Sequence, residues 1–287
     1  MMTLLTPVRG DGHGASVLAL GIAMGRPFGG HLDVIHVHAR PEDLLPFGVP
    51  LPRGLRETIL SSAKASTAGE ETRLHDLFRQ FSDTHDLREV DVAPLNNEPG
   101  TVTATWREEE GKQASIVAIH GRLSDVVVVA KPDRSANLGQ NTFQASLFEV
   151  GALTAVAPGR EVQTAFEHVA IGWNGSVESA RAVKRSLRML VRAKAVTIVS
   201  GEGDRTPHLG PQSLQTYMAR HGIDAAIKTF RATSHDIGER LLGAASEVGA
   251  DTMVMGAFGN EKRQEFVLGG ATQYVLDHAD IPLLMAH

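Results

Sequence analysis

Short apolar runs rich in β-branched residues punctuate the chain: Leu32–Val37, Val126–Val129, His168–Gly172, Val196–Val199 and Thr252–Met255. Each is four to six residues long with little alternation, the pattern of a strand buried on both faces. Met1–Arg9 alternates instead and predicts one more strand. Amphipathic stretches lie between the runs. Ser176–Val191 sets Ala180, Val183, Leu187 and Leu190 at three- and four-residue steps. Ile237–Val248 does the same with Leu241, Leu242, Ala245 and Val248, then meets Gly249, a good residue to follow a helix. Strands alternating with helices of this length predict βαβ units and a parallel sheet.

The plan occurs twice. Asp11 precedes Ile35 by 24 residues, and Asn174 precedes Ile198 by the same 24. Leu123-Ser-Asp125-Val-Val-Val-Val matches Val248-Gly-Ala-Asp251-Thr-Met-Val-Met, and Leu147–Val156 matches Val275–Leu284. The offset falls from 163 between Asp11 and Asn174 to 126 between Asp125 and Asp251. The first half therefore carries about 37 extra residues, within about 40–100, which include the proline-rich Arg40–Arg53 and a long polar helix near Leu55–Phe81. Two repeats are too few for a solenoid. The expected organisation is a pair of domains, 1–158 and 167–287, parted in the stretch Pro158–Glu167.

Composition narrows the class. With 42% hydrophobic and 21% charged residues, the chain reads as a soluble globular protein. The 287 residues lack cysteine, which removes disulfides, thiolate metal sites and a cysteine nucleophile. A net charge of −5 argues against a nucleic-acid face. No apolar run reaches the roughly 18 residues of a membrane span. Met1–Arg9 lacks a basic region before an apolar core, so no signal peptide is expected and the cytoplasm is the expected location.

The chemistry-bearing stretch runs from Val254 to Thr272. A strand ends at Gly256; two residues separate it from Gly259 and nine more separate Gly259 from Gly269, where Gly269-Gly270 opens a helix through Gln273–Asp277. Glycines there let backbone N–H groups approach an anion, a helix N-terminus adds unpaired N–H groups, and Thr272 supplies a hydroxyl. Those are the parts of a phosphate cradle at the carboxyl ends of parallel strands. A plain strand-to-helix turn would use the same glycines. The spacing fits neither a dinucleotide fingerprint nor a Walker A loop.

Gly-x2-Gly-x9-Gly after the fourth strand, followed by a helix and a final Pro282-Leu-Leu strand, resembles the ATP-binding motif of the universal stress protein family. Val169-Ala-Ile-Gly-Trp-Asn-Gly-Ser176 resembles the family's opening strand and Asp-Gly-Ser turn, and Gly249–Gly256 the strand entering the loop. The resemblance implies an α/β fold of two tandem domains, each a mostly parallel five-stranded open sheet flanked by helices, of the adenine nucleotide α-hydrolase-like kind. It implies that Gly256, Gly259, Gly269 and Gly270 wrap ribose and phosphates, with Met255 and Ala271 flanking them. By the same transfer Asn174 stands near the adenosine beside Gly172 and Trp173, and the backbone of Ser200 meets the adenine. Two positions depart from the family. Gly270 stands where nucleotide-binding members commonly carry serine or threonine, with Thr272 as a compensating hydroxyl, and Asn174 replaces an aspartate.

The first half follows the plan without the motif. Val129-Ala130-Lys-Pro-Asp133 occupies the loop position, Pro132 removes a donor N–H, and Gly139 has no matching spacing, although Asp11 keeps the acidic opening position. This half reads as structural or as a degenerate pocket. His36 and His38 would share one strand face, Glu108-Glu-Glu110 reads as a solvated loop, and Lys262 and Arg263 sit inside the glycine loop. No general base stands out beside the cradle. The leading expectation is a stress-response protein holding ATP or AMP, with or without Mg, in its C-terminal half as a signal. The rivals are a slow ATPase or nucleotidyl-transfer enzyme and a dimerisation or interaction module without nucleotide. The resemblance implies that the last strands, Leu153–Ala157 and Ile281–Ala286, pair the halves about a pseudo-two-fold axis, as apolar edge strands want partners, with a homodimer as the other expected assembly.

Overall fold

A computed structural model describes residues 1–38, 40, 52–134, 136, 138–202, 209–233, 235–259 and 270–287. The first half runs β1 (Thr3–Val8), α1 (Gly14–Gly25), β2 (Gly30–His38), α2 (Arg53–His85), β3 (Arg88–Glu89), β4 (Val102–Glu110), α3 (Gln113–His120), β5 (Val126–Ala130), α4 (Gln140–Phe148) and β6 (Leu153–Ala157). The second runs β7 (His168–Gly172), α5 (Val177–Leu190), β8 (Ala195–Gly201), α6 (Pro211–Arg220), β9 (Ala225–Phe230), α7 (Ile237–Glu247), β10 (Thr252–Gly256), α8 (Gly270–His278) and β11 (Leu283–Ala286). No helix among the described residues is long and apolar enough to cross a membrane.

The strands form one sheet in the order β3-β4-β2-β1-β5-β6-β11-β10-β7-β8-β9. Leaving out the two-residue edge strand β3, each half has the same third-second-first-fourth-fifth order, the doubly wound arrangement that reverses direction beside its first strand. All pairings are parallel except β6 with β11. That antiparallel pair sets Ala155 beside Leu284, flanked by Val156–Leu283 and Thr154–Met285. The pairing is symmetric about its centre: Thr154 stands beside Val127 as Leu283 stands beside Met253. The two last strands thus join the halves inside one chain.

Local chemistry explains the repeat. At the end of β1 the His13 N–H donates to Asp11 Oδ1 (3.0 Å), and at the end of β7 the Ser176 N–H donates to Asn174 Oδ1 (3.1 Å). The glycine between each pair, Gly12 at φ 85° and Gly175 at φ 73°, takes the left-handed turn that a side chain would resist. Asp125 accepts from the Thr3 N–H (2.9 Å) at the foot of β1, and Asp251 accepts from the Glu167 N–H (2.8 Å) beside β7. These equivalences carry the fold twice over different sequences.

Two apolar layers cover the sheet, and both cross the seam. One packs α1, α2, α5 and α6 through Leu18, Phe78, Ala182 and Met218; the other packs α3, α4, α7 and α8 through Val117, Phe143, Leu241 and Val275. A row of arginines on and just after α5 ties the seam further. Arg185 donates to Ala152 O (3.2 Å), Arg188 donates to Met1 O (3.3 Å) and lies 3.7 Å from Asp125, and Arg192 sits 4.7 Å from the Phe28 ring centroid. Burial, aggravated by the neighbouring Arg181 cation, holds the Arg185 guanidinium below its ordinary pKa.

Some sequence expectations fail here. Glu108-Glu-Glu110 is not a loop: it is the end of β4, paired in register with His36, Val37 and His38. A strand near the sheet edge can be polar because part of it faces water, which hides it from a search for apolar runs. β1 does not alternate, since Leu4, Leu5, Thr6 and Val8 are all buried under helices on both faces. The first half has a sixth strand, β3, added at its edge. The extra residues lengthen α2 to 33 residues against the 10 of α6, although both helices connect a half's second and third main strands. Most of the proline-rich stretch 40–53 lies outside the described residues.

Candidate functional site

The crevice of a doubly wound sheet opens where neighbouring strands send their connections to opposite faces. In the second half those strands are β7 and β10, paired through Gly172 and Met255. Three of the expected site residues meet on the β7 side. Gly172 is tight against its neighbour, for a Cβ there would lie 3.4 Å from the Met255 Cβ. Trp173 is buried, with its N–H donating to Val199 O (2.9 Å) and its indole Nε1 to Leu209 O (2.7 Å). Asn174 is exposed and closes the turn into α5, where Ser176 caps the helix by accepting from the Ser179 N–H (3.1 Å).

Ser200 stands near the end of β8, buried, and its hydroxyl has no hydrogen-bond partner among the described residues. A buried hydroxyl without a partner is costly unless something else satisfies it.

On the β10 side, Met255 is buried and Gly256 ends the strand against the first turn of α5. A Cβ at Gly256 would collide with the Ser179 N and come within 2.7 Å of the Glu178 carbonyl carbon. At Gly259 a Cβ would collide with the Glu178 carboxylate. The backbone of α5 requires the smallness of Gly256, whereas at Gly259 the obstacle is the end of the Glu178 side chain, which can turn aside. The helix also brings a carboxylate to the described part of the loop that sequence reasoning left without an acid or base. The signal was present: a cap at Ser176 puts Glu178 in the first helical turn, beside the strand ends.

Helix α8 begins at Gly270, which is exposed and not in the left-handed region, and a Cβ added to it would meet no described atom within 4 Å. Ala271 is half-buried and packs against α7, where the absence of a side chain on Gly238 admits it: a Cβ there would lie 2.8 Å from Ala271 O. Thr272 is buried, as are Val275 and Leu276 of the same helix. Gly269, Lys262 and Arg263 lie outside the described residues.

The sequence of residues 165–287 matches the universal stress protein family. Residues 165–287 carry a universal stress protein domain. Among solved structures, a universal stress protein from Archaeoglobus fulgidus DSM 4304 matches over 99% of this chain and 95% of its own, with 12% identity and a TM-score of 0.66. A putative universal stress protein from Pseudomonas aeruginosa UCBPP-PA14 matches over 100% and 93%, with 12% identity and a TM-score of 0.57. At such identities the likeness is one of fold, and it extends through both halves. A shorter universal stress protein, solved in complex with cAMP, matches over 43% of this chain and 98% of its own, at 23% identity and a TM-score of 0.34. No curated protein matches by sequence.

The first half shares the fold, and charged side chains gather at the end of its β1 and the start of its α4. Arg9 pairs with Asp11, and its guanidinium lies 2.8 Å from where a Cβ of Gly139 would be. Gly139 caps α4 in the left-handed conformation (φ 78°), at the helix start that corresponds to the start of α8. From the long helix α2, Arg73 donates to Gly10 O (3.3 Å), and Glu70 presses on the same glycine. His36 and His38 do share a face, with ring centroids 6.2 Å apart, and His38 Nδ1 lies 3.1 Å from Glu71. Among the described residues no group of three His, Cys, Asp or Glu side chains is placed to hold a metal ion.

Proposed function

We propose that the C-terminal universal stress domain binds one adenine nucleotide, ATP or AMP, and that occupancy acts as a signal in a stress response. The observation that carries this reading is the meeting of the Gly172–Asn174 turn and the Gly256–Gly259 loop at the switch point between β7 and β10. The unpartnered Ser200 hydroxyl supports an occupant with hydrogen-bonding groups near the adenine position. The start of α8 at Gly270 supports an anion, because the first N–H groups of a helix have no internal partners. A division of labour, with binding in 167–287 and none in 1–158, is supported by the approach of Arg9, Glu70 and Arg73 to Gly139 and Gly10 in the first half.

Glu178 refines the proposal. A carboxylate beside Gly259 repels bare phosphate, so the nucleotide enters with Glu178 turned to solvent or with a magnesium ion between them. One carboxylate together with phosphate oxygens and waters is an ordinary share of Mg²⁺ coordination. The same carboxylate favours a second reading, a slow ATPase in which Glu178 accepts a proton from water.

The test is mass spectrometry of nucleotide released from the denatured purified protein, followed by thermal unfolding with added ATP. A ligand at 100 times its Kd adds about 2.7 kcal/mol of stability. No co-purifying nucleotide and no shift with ATP, AMP or adenosine would remove the reading. Loss of ADP formation in Glu178→Gln with binding retained would favour the ATPase.

A further inference from the structure

The loop and helix of the C-terminal crevice are held from outside their own half. Phe258, between the two described motif glycines, has φ 57°, a conformation that a phenylalanine keeps only where its surroundings over-determine it. Those surroundings include two phenylalanines of α4 in the first half. The Phe258 ring centroid lies 5.6 Å from Phe148 and 6.5 Å from Phe143, and Phe143 is fully buried. Phe148 also meets His287 edge-on at 4.8 Å, and His287 Nδ1 lies 3.0 Å from Ala257 O.

The helix is held at its other end. Lys131 donates to Ala279 O (3.2 Å) just past the last residue of α8, and Arg134 lies 3.7 Å from Asp277. Cations there suit the negative end of the helix dipole.

These contacts come from the segment after β5 and from α4, the parts of the first half that stand where the second half has its glycine loop and α8. We propose that Lys131, Arg134, Phe143 and Phe148 form a brace that positions the phosphate-binding loop and helix of the other half. The loss of the motif in the first half is then an exchange of roles: the segment that would hold phosphate instead holds its partner's phosphate site. The brace acts on the phosphate end of the ligand through Phe258 and α8. Its contacts are with Phe258, Asp277 and Ala279, not with Gly172, Trp173 or Ser200, which the proposed function assigns to the adenosine end.

This inference rests on the nucleotide reading, and its test keeps the two apart. Phe148 is 40% exposed at the end of α4, so Phe148→Ala removes the ring without opening the core. The variant should bind ATP about three- to ten-fold more weakly, the worth of one aromatic pair, and adenosine as before. Phe148→Tyr keeps the ring and should match the wild type. Unchanged ATP affinity in Phe148→Ala, or an equal loss for adenosine, overturns the brace. Amide hydrogen exchange at Ala257–Gly259 provides a readout without ligand: it should quicken in Phe148→Ala and stay at the wild-type rate in Phe148→Tyr. If the wild type binds no nucleotide, the proposed function fails, and unaltered exchange in Phe148→Ala then overturns the brace independently.

Discussion

Replacing Gly270 by serine probes the cradle with the least disturbance. The residue opens α8, is exposed, and has no described atom within 4 Å of an added Cβ. Its φ is not left-handed, so serine carries no backbone strain there, and serine is a better helix residue than glycine. If the helix start faces phosphate, the new hydroxyl donates to a charged acceptor, which is worth about 1.5–3 kcal/mol. Fixing the serine rotamer offsets about 0.5 kcal/mol of this. A net gain of about 1–2.5 kcal/mol corresponds to roughly five- to seventy-fold tighter ATP binding. Isothermal titration calorimetry of wild type and Gly270→Ser against ATP, AMP and adenosine measures it directly. Adenosine should gain nothing. An equal gain for adenosine, or none for ATP, would mean that phosphate does not sit at the start of α8.

Gly256→Ala should lower stability by about 1–3 kcal/mol, because the obstacle is the backbone of α5; an unchanged urea midpoint would refute that packing argument. Gly259→Val in a Glu178→Ala background relieves the clash within the protein, so loss of ATP binding relative to Glu178→Ala alone, with native circular dichroism, would reveal an obstructed ligand path. Affinity equal to that of Glu178→Ala alone would make the loop a plain turn. Asp236 has its carboxyl held down to about 2 from 3.8 by hydrogen bonds from Thr233 first and from Arg240. Its contribution to stability is therefore present above about pH 4 and lost as pH falls towards about 2. Asp236→Asn should flatten that acid limb in urea titrations, and an unchanged limb would assign it to other carboxylates.

The central strands were legible because burial on both faces removes polar residues from them. His168–Gly172 and Thr252–Met255 read almost to the residue, against observed ranges of His168–Gly172 and Thr252–Gly256. Outer strands were not. β9 is largely half-exposed and β4 ends in three glutamates, so neither presents an apolar run. The repeat was legible through Asp11 and Asn174 because their turns reuse one hydrogen bond and one left-handed glycine. At the site, motif spacing pointed to Gly256 and Gly259 but could not reveal that Glu178 lies against them, since that contact spans 81 residues between Glu178 and Gly259. Nor could it reveal the approach of Glu70 and Arg73 to Gly10, which depends on where the long helix α2 crosses the sheet.

Stoichiometry tests the central claim most directly. Calorimetric titration of the full chain with Mg-ATP should reach saturation at one nucleotide per chain, in the crevice between β7 and β10. Two equivalent sites per chain, or no heat and no thermal stabilisation at millimolar nucleotide, would contradict it.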